Sequence, residues 1–190
     1  MCERSSVRPG LAAAQELDHD DAALVERVRA GDPGAFRTLY HRYARIVAAR
    51  AYWVVGDTSE VDDIVQETFI AAALGLDGLR DPGALKAWLM IIATRCAQRC
   101  LGRRARIRRT GRALRETVPT ASDPAGRASV EQLDEALDRL SPKLRVPWVL
   151  SRVAGEPLPT VAQQCGVSLA TVKRRLVKAD RLVKRSLGDG

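Results

Sequence analysis

Seven lysines and arginines and a single acid fall within residues 167–187, VSLATVKRRLVKADRLVKRSL. Cations at this density neutralise phosphates, and arginine can also hold a guanine edge through two parallel N–H donors. Two other groups of side chains bear chemistry. Glu60, Asp62, Asp63 and Glu67 bring four carboxylates close together in sequence, a composition that two-metal nucleases also use. On a helix, however, Asp62 and Asp63 diverge by about 100°. No histidine or second acidic cluster joins them, so no metal is expected. Cys96 and Cys100 stand at i and i+4, the spacing of two ligands on one helix face. Cys2, Cys165, His19 and His41 are distant in sequence, and two small buried, reduced side chains are the expectation. No glycine-rich phosphate loop, nucleophile elbow or triad pattern occurs. The expected class is therefore not an enzyme, and no cofactor is expected.

The basic stretch must be positioned by a helix. Val172, Leu176, Ala179, Val183 and Leu187 recur at helical spacing and predict a buried stripe. Most of the cations fall outside that stripe. Ser168 is placed to cap the helix start, where free backbone N–H groups can hold a phosphate. The preceding residues, LPTVAQQCG, predict a shorter helix and a tight turn at Gly166, which makes a helix-turn-helix. A helix entering the major groove reads bases from its first turns and touches phosphates from its flanks. Ser168, Ala170, Thr171 and Arg174 are thus placed for base edges. Arg175, Lys178 and Arg181 suit the DNA backbone, and Lys173 belongs to the same DNA-facing set.

The rest of the chain separates into two modules. Residues 1–101 hold 12 basic and 14 acidic side chains, whereas residues 102–190 hold 19 basic and 9 acidic ones. A near-neutral front and a basic back point to a polyanion as partner of the second module. Residues 1–19 predict no regular structure. Four helices are then predicted. The first carries Leu24, Val25 and Val28 and stops at Gly31. The second opens at Pro33 with Phe36, Leu39, Tyr40, Tyr43 and Val47 inward. The third is capped at Asp57 or Thr58 and buries Val61, Ile64, Val65, Thr68, Phe69 and Ala72. The fourth runs from about Ala84 to Leu101. Asp63, Gln66 and Glu67 fall on the polar side of the third helix. Residues 102–129, rich in Arg, Ser, Pro and Gly, predict a basic flexible linker, and residues 130–187 a second helical domain. That domain opens with Val130, Leu133, Leu137 and Leu140 inward. Its next helix starts at Ser141 and Pro142 and should kink at Pro147. The fold class is all-α, two helical domains over 20–101 and 130–187.

The residues that close the chain, LDRLSPKLRVPWVLSRVAGEPLPTVAQQCGVSLATVKRRLVKADRLVKRSL, resemble domain four of the extracytoplasmic-function (ECF) sigma factors of bacterial RNA polymerase. GVSLATVKRRL stands against the family's G-x-S-x-G-T-V-K-x-R-L. DDIVQETFIAAA and ALKAWLMIIA resemble the core-gripping and promoter-recognition helices of domain two, and RAGDPGAFRTLYHRY its first helices. The likeness covers about residues 20–187. It implies that Asp63, Gln66 and Glu67 dock on the clamp helices of the largest polymerase subunit. It implies that Arg80, Lys86, Trp88, Arg95 and Arg99 serve the −10 element, where a flipped base and single strand would be held. Trp88, spaced with Leu85, Leu89 and Ile92, also fits a core position. Ser168, Ala170, Thr171, Lys173, Arg174, Arg175 and Lys178 would read the −35 element. The chain departs from the family at Ala71, Ala73, Leu79 and Arg95, and in domain four at Thr160 and Ala170. These departures bear on −10 melting and −35 preference rather than on core binding.

The partners implied are bacterial core RNA polymerase, promoter DNA and an anti-sigma protein. The absence of an ~18-residue apolar run or a signal-peptide core leads to the expectation of a cytoplasmic protein without membrane insertion. Two other readings of the same residues stand beside this one: a free-standing helix-turn-helix regulator that dimerises on a palindrome, and a nuclease or recombinase.

Overall fold

The computed structural model describes residues 21–109 and 132–188, and among these every regular element is helical. Helix α1 covers residues 21–29. Gly31, at φ 82°, turns the chain, and the Asp32 carboxylate accepts from Gly34 and Ala35 N–H to start α2, Pro33–Val55. Proline at the first helical position loses nothing, because that N–H has no intrahelical acceptor. Gly56, at φ 69°, closes α2 in the left-handed conformation, its N–H donating to Tyr52 O. Asp57 caps a single 3₁₀ turn, Thr58–Glu60, and α3 follows at Val61–Gly75. Two further 3₁₀ turns, Leu76–Gly78 and Pro82–Ala84, lead into α4, Leu85–Arg109. The pattern placed the end of α4 near Leu101; the helix continues eight residues further. The arginines and Ala105 that follow Gly102 favour helix, and Arg104 ties that turn to Asp57 and Glu60.

After residue 131 come α5 (132–138), α6 (Pro142–Arg152), α7 (Leu158–Cys165) and α8 (Leu169–Gly188). Helix α6 runs unbroken through the buried Pro147. Val130 and residues 1–20 lie outside the described residues.

Two apolar clusters organise the molecule. The first belongs to α1–α4 alone: Leu24, Val25, Leu39, Val47, Phe69, Leu76, Leu85 and Leu89 are its centre. The predicted apolar faces of α1 to α3 are found there, with two exceptions: Ile64 is buried in the second cluster, and Tyr40 is partly exposed. Tyr40 stays 38% exposed and lies against Phe69 with ring centroids 4.7 Å apart. The second cluster crosses between the two helical groups. Val54, Val55, Ile64, Ala97 and Leu101 from α2–α4 join Leu137, Leu144, Val149, Val161, Val172 and Leu176 from α5–α8 in one continuous core. The helical groups expected as separate bodies are therefore packed face to face. The cause lies in α4, whose Cys96, Ala97 and Cys100 are small enough for α6 and α7 to approach closely.

Candidate nucleic-acid interface

Helix α7 ends at Cys165, and Gly166 at φ 64° turns the chain with its N–H directed to Ala162 and Gln163 carbonyls. A glycine is required there because a Cβ is strained at that φ. Two residues on, Ser168 starts α8. Its hydroxyl accepts from Thr171 N–H at 3.2 Å and pairs with the Thr171 hydroxyl at 3.0 Å. The cap is as expected, and it leaves the two hydroxyls engaged with each other.

Val172, Leu176, Ala179 and Val183 are buried and anchor α8, whereas Leu187 is 43% exposed at the fraying end. Lys173, Arg174, Lys178 and Arg181 are exposed, with Ser168 and Ala170 beside them at the helix start; Thr171 and Arg175 are half-buried. The helix's one acid, seven residues after Lys173 and four before Lys184, is engaged by α6. Asp180 accepts from Trp148 Nε1 at 2.9 Å and from Arg152 Nη2 at 2.8 Å, so it ties α8 to α6. The Arg152 hydrogen bond, with that from Trp148, holds its carboxyl below the usual carboxylate range against the opposing effect of partial burial. A positive helix face whose one acid is already paired with α6 suits the phosphates and base edges of a major groove.

On α3, Asp63, Gln66 and Glu67 are all exposed. The same stripe continues to Ile70, 54% exposed, and Leu74, 84% exposed. Sequence reasoning missed these two, although their i+3 and i+7 spacing from Glu67 marks one apolar extension of a polar face. A mixed acidic and apolar ridge of this kind fits a protein partner better than DNA.

Arg80 is exposed on the loop between the two 3₁₀ turns. That loop is fixed at one end by Arg29 of α1, which donates to the Leu76 and Leu79 carbonyls, and at the other by Asp81, which accepts from Gly83 N–H at 3.0 Å. On α4, helical geometry brings Trp88, Arg95 and Arg99 onto one face and sets Lys86 about 160° away. Arg95 and Arg99 are exposed, while Trp88 is half-buried, packed on the first core and beside Gly75. Arg99 Nη2 lies 2.7 Å from Glu67 Oε1, so the acidic ridge of α3 and the basic face of α4 meet in one exposed ion pair.

The sequence reading also passed over Arg50 and Arg145. Each is a buried cation, 7% and 3% exposed, at the seam between the two helical groups. Arg50 bonds Glu156 and Gln164; Arg145 donates to the carbonyls of Val54 and Val55, both at 2.9 Å, and to Asp138 at 2.6 Å. Burial drives the Arg145 guanidinium's pKa down, opposed by the Asp138 hydrogen bond. Their signal was present: Arg50 interrupts the apolar period Val47, Ala51, Val54. Among the described residues no group of three or more His, Cys, Asp or Glu could hold a metal ion, and no helix is long and apolar enough to cross a membrane.

Known proteins share this arrangement. Residues 39–107 match Sigma-70 region 2, and residues 130–179 match Sigma-70 region 4. The RNA polymerase sigma factor NccH of Alcaligenes xylosoxydans xylosoxydans is 32% identical over 168 residues, covering 84% of this chain and 90% of that protein. The ECF RNA polymerase sigma-E factor of Escherichia coli (strain K12) is 32% identical over 176 residues, with the same coverage. Among solved structures, CnrH in complex with the cytosolic domain of CnrY superposes with a TM-score of 0.62 at 26% identity, covering 89% of this chain and 97% of CnrH. The Bartonella quintana sigma factor RpoE, solved with the anti-sigma factor NepR, shares the fold at a TM-score of 0.61 and 23% identity, covering 80% and 96%.

Proposed function

The chain belongs to the ECF sigma factors of bacterial RNA polymerase, and from that premise we propose which of its surfaces perform each part of promoter recognition. A sigma factor is an initiation factor, not an enzyme. It binds core polymerase and directs the assembly to promoters. In this chain the Asp63, Gln66 and Glu67 ridge, extended by Ile70 and Leu74, is the core-docking surface. Arg80, Lys86, Arg95 and Arg99 engage the −10 strand. Trp88 contributes from its half-buried position by supporting that face. Ser168, Ala170, Thr171, Lys173, Arg174, Arg175 and Lys178 meet the −35 major groove. Residues 20–101 and 130–187 act as domains two and four, with 102–129 between them. The protein works in the cytoplasm, where its polymerase is, and an anti-sigma protein regulates it, a reading supported by the related sigma factor RpoE solved with the anti-sigma factor NepR.

The observation that carries this reading is the exposed basic face of α8 behind a capped helix-turn-helix, with Asp180 paired to Trp148 and Arg152 of α6. The mechanism is energetic. Contacts to the −35 groove, to core and to extruded bases offset the few kcal/mol that opening each base requires. The test is transcription with purified core polymerase on genomic fragments, with start sites mapped. Arg174→Ala should weaken −35-dependent initiation and relax its sequence preference, and joint Asp63→Ala and Glu67→Ala changes should weaken core binding. Promoter choice untouched by the first, or core affinity untouched by the second, rejects the corresponding assignment.

A further inference from the structure

We propose that Arg29 of α1 is a positioning residue for −10 recognition. Through the Leu79 carbonyl it sets the orientation of Arg80, and with it the base preference of the loop between α3 and α4. The inference rests on the assignment of Arg80 to the −10 strand made above.

The anchor lies in the backbone. Leu76 and Leu79 bury their side chains in the first cluster, while Asp77, Gly78 and Arg80 stay exposed. The carbonyls of the two leucines converge on one guanidinium. Arg29 Nη2 lies 3.1 Å from Leu76 O and also donates to Leu79 O. Leu76 O accepts in addition from Leu79 N–H at 3.0 Å, which closes the 3₁₀ turn. The Leu79 carbonyl and the Arg80 N–H belong to the same peptide unit, which is planar and strongly resists rotation about its C–N bond. Fixing that carbonyl therefore fixes the direction in which the chain enters the Arg80 Cα. Beyond Arg80, Asp81 is held by its own turn. Its carboxylate accepts from Gly83 N–H at 3.0 Å, and its carbonyl accepts from Ala84 N–H at 3.0 Å. Arg80 stands between these two fixed units with its side chain exposed.

Stability does not account for an arginine at position 29. Helix α1 is already anchored in the first cluster by Leu24 and Val25. The Arg29 Nε is buried with no acceptor among the described residues, and an unmet buried donor is a cost. What the side chain secures is the reach from α1 to carbonyls 47 and 50 positions away. Nη1 is held by Glu26 Oε1 at 2.7 Å, which leaves Nη2 aimed at the loop. A cation also suits the site, because the last carbonyls of α3 carry the negative end of its dipole. Lysine would supply that charge but not a planar group held at one nitrogen while another meets both carbonyls.

The test is a mutant cycle in the holoenzyme: Arg29→Ala, Arg80→Ala, the double variant and Arg29→Lys. Each transcribes a promoter set that varies every −10 base in turn against a constant −35 element. A guanidinium contact to a base edge discriminates about fivefold or more, so Arg80→Ala should flatten the preference at one −10 position by at least that factor. Arg29→Ala should flatten the same position to a similar extent. The double variant should be no flatter than Arg80→Ala alone, because Arg29 acts through Arg80. Core affinity should hold its wild-type value, and Arg29→Lys should not recover the wild-type preference. Urea midpoints separate this role from a merely structural one, which would lower the midpoint and the output of every promoter alike while leaving the ratios between bases unchanged. That pattern overturns the proposal. So does an additive loss in the double variant, or a wild-type preference in Arg29→Lys, which would reduce position 29 to a charge. An Arg80→Ala chain with unaltered −10 preference would sink the assignment of Arg80 itself, and the proposal with it.

Discussion

The two apolar clusters are built differently. The first, inside α1–α4, is centred on aliphatic and aromatic side chains such as Leu39, Phe69, Leu85 and Leu89. The second is equally well buried around Val149, Val161 and Val172, but guanidinium groups of Arg50 and Arg145 cross its seam between the helical groups. Apolar side chains of similar volume would often hold such a seam as well or better, because a buried ion pair returns little beyond its own desolvation. The contrast teaches that burial alone does not say whether two elements are meant to stay together. The polarity of what is buried decides whether parting is tolerable.

The largest effect should come from the first cluster. Leu89 is fully buried, and Leu89→Ala removes its side chain from a closed aliphatic environment. A loss of about 2–5 kcal/mol is expected in urea unfolding, with the far-ultraviolet signal of α1–α4 melting earlier. Retention of wild-type stability would mean that this cluster is looser than its burial indicates.

The seam should respond in another way. Arg145→Met keeps most of the stem but removes the Arg145 donor from the Val54 carbonyl and leaves the Val55 carbonyl with Arg104 alone. Its cost is about 1–3 kcal/mol, borne by the closed state alone, because water reaches the carbonyls once the faces part. Thiol chemistry reports the difference. Burial pushes the Cys100 thiol up to about 12 and the Cys165 thiol up to about 11, so both should react slowly with iodoacetamide at pH 8. In the Arg145→Met chain, labelling of these cysteines should accelerate while α1–α4 remains folded. If unfolding and labelling move together, the seam and the first cluster form a single cooperative unit.

Much of this was legible beforehand because helical period and caps are local signals. The inward faces of α1–α3 and α8, the Gly166 turn and the Ser168 cap follow from residues within a few positions of one another. The seam did not follow, because its partners are far apart in sequence: Arg50 meets Gln164 across 114 positions and Arg145 meets Val54 across 91. Only the misfit of an arginine within an apolar period hinted at it. Likewise α4 outran its expected end, because Arg104 is held by Asp57 and Glu60, contacts that no local pattern contains.

Arg174 and Lys178 separate reading from simple attraction on α8. Arg174→Ala should cost about 1–3 kcal/mol at the cognate −35 element and relax preference at one position. Lys178→Ala should weaken all sequences evenly and lower the salt slope of binding by about one. Competition binding of the holoenzyme at several salt concentrations measures both. Equal effects of the two changes on every sequence would make α8 a phosphate-binding helix only.

The smallest effect concerns the joint that aims α8. Asp180 receives hydrogen bonds from Arg152 and Trp148, which keep its carboxyl below the usual range. A depressed folded value means that the carboxylate is favoured by folding. Its contribution is therefore complete above the unfolded value of ~3.9 and disappears as pH falls through the lower folded one. The Arg152 side chain is 50% exposed and that of Asp180 31%, so solvent screening limits the gain to about 1 kcal/mol or less. Asp180→Asn should be slightly less stable than wild type at pH 7, and the difference should close on acidification below about pH 4. Urea midpoints along a pH series would show this. A gap that persists in acid would assign the effect to lost geometry at Trp148 rather than to charge. In that case α6 and α8 are fixed to each other by the shape of the Trp148 contact rather than by the charge of Asp180.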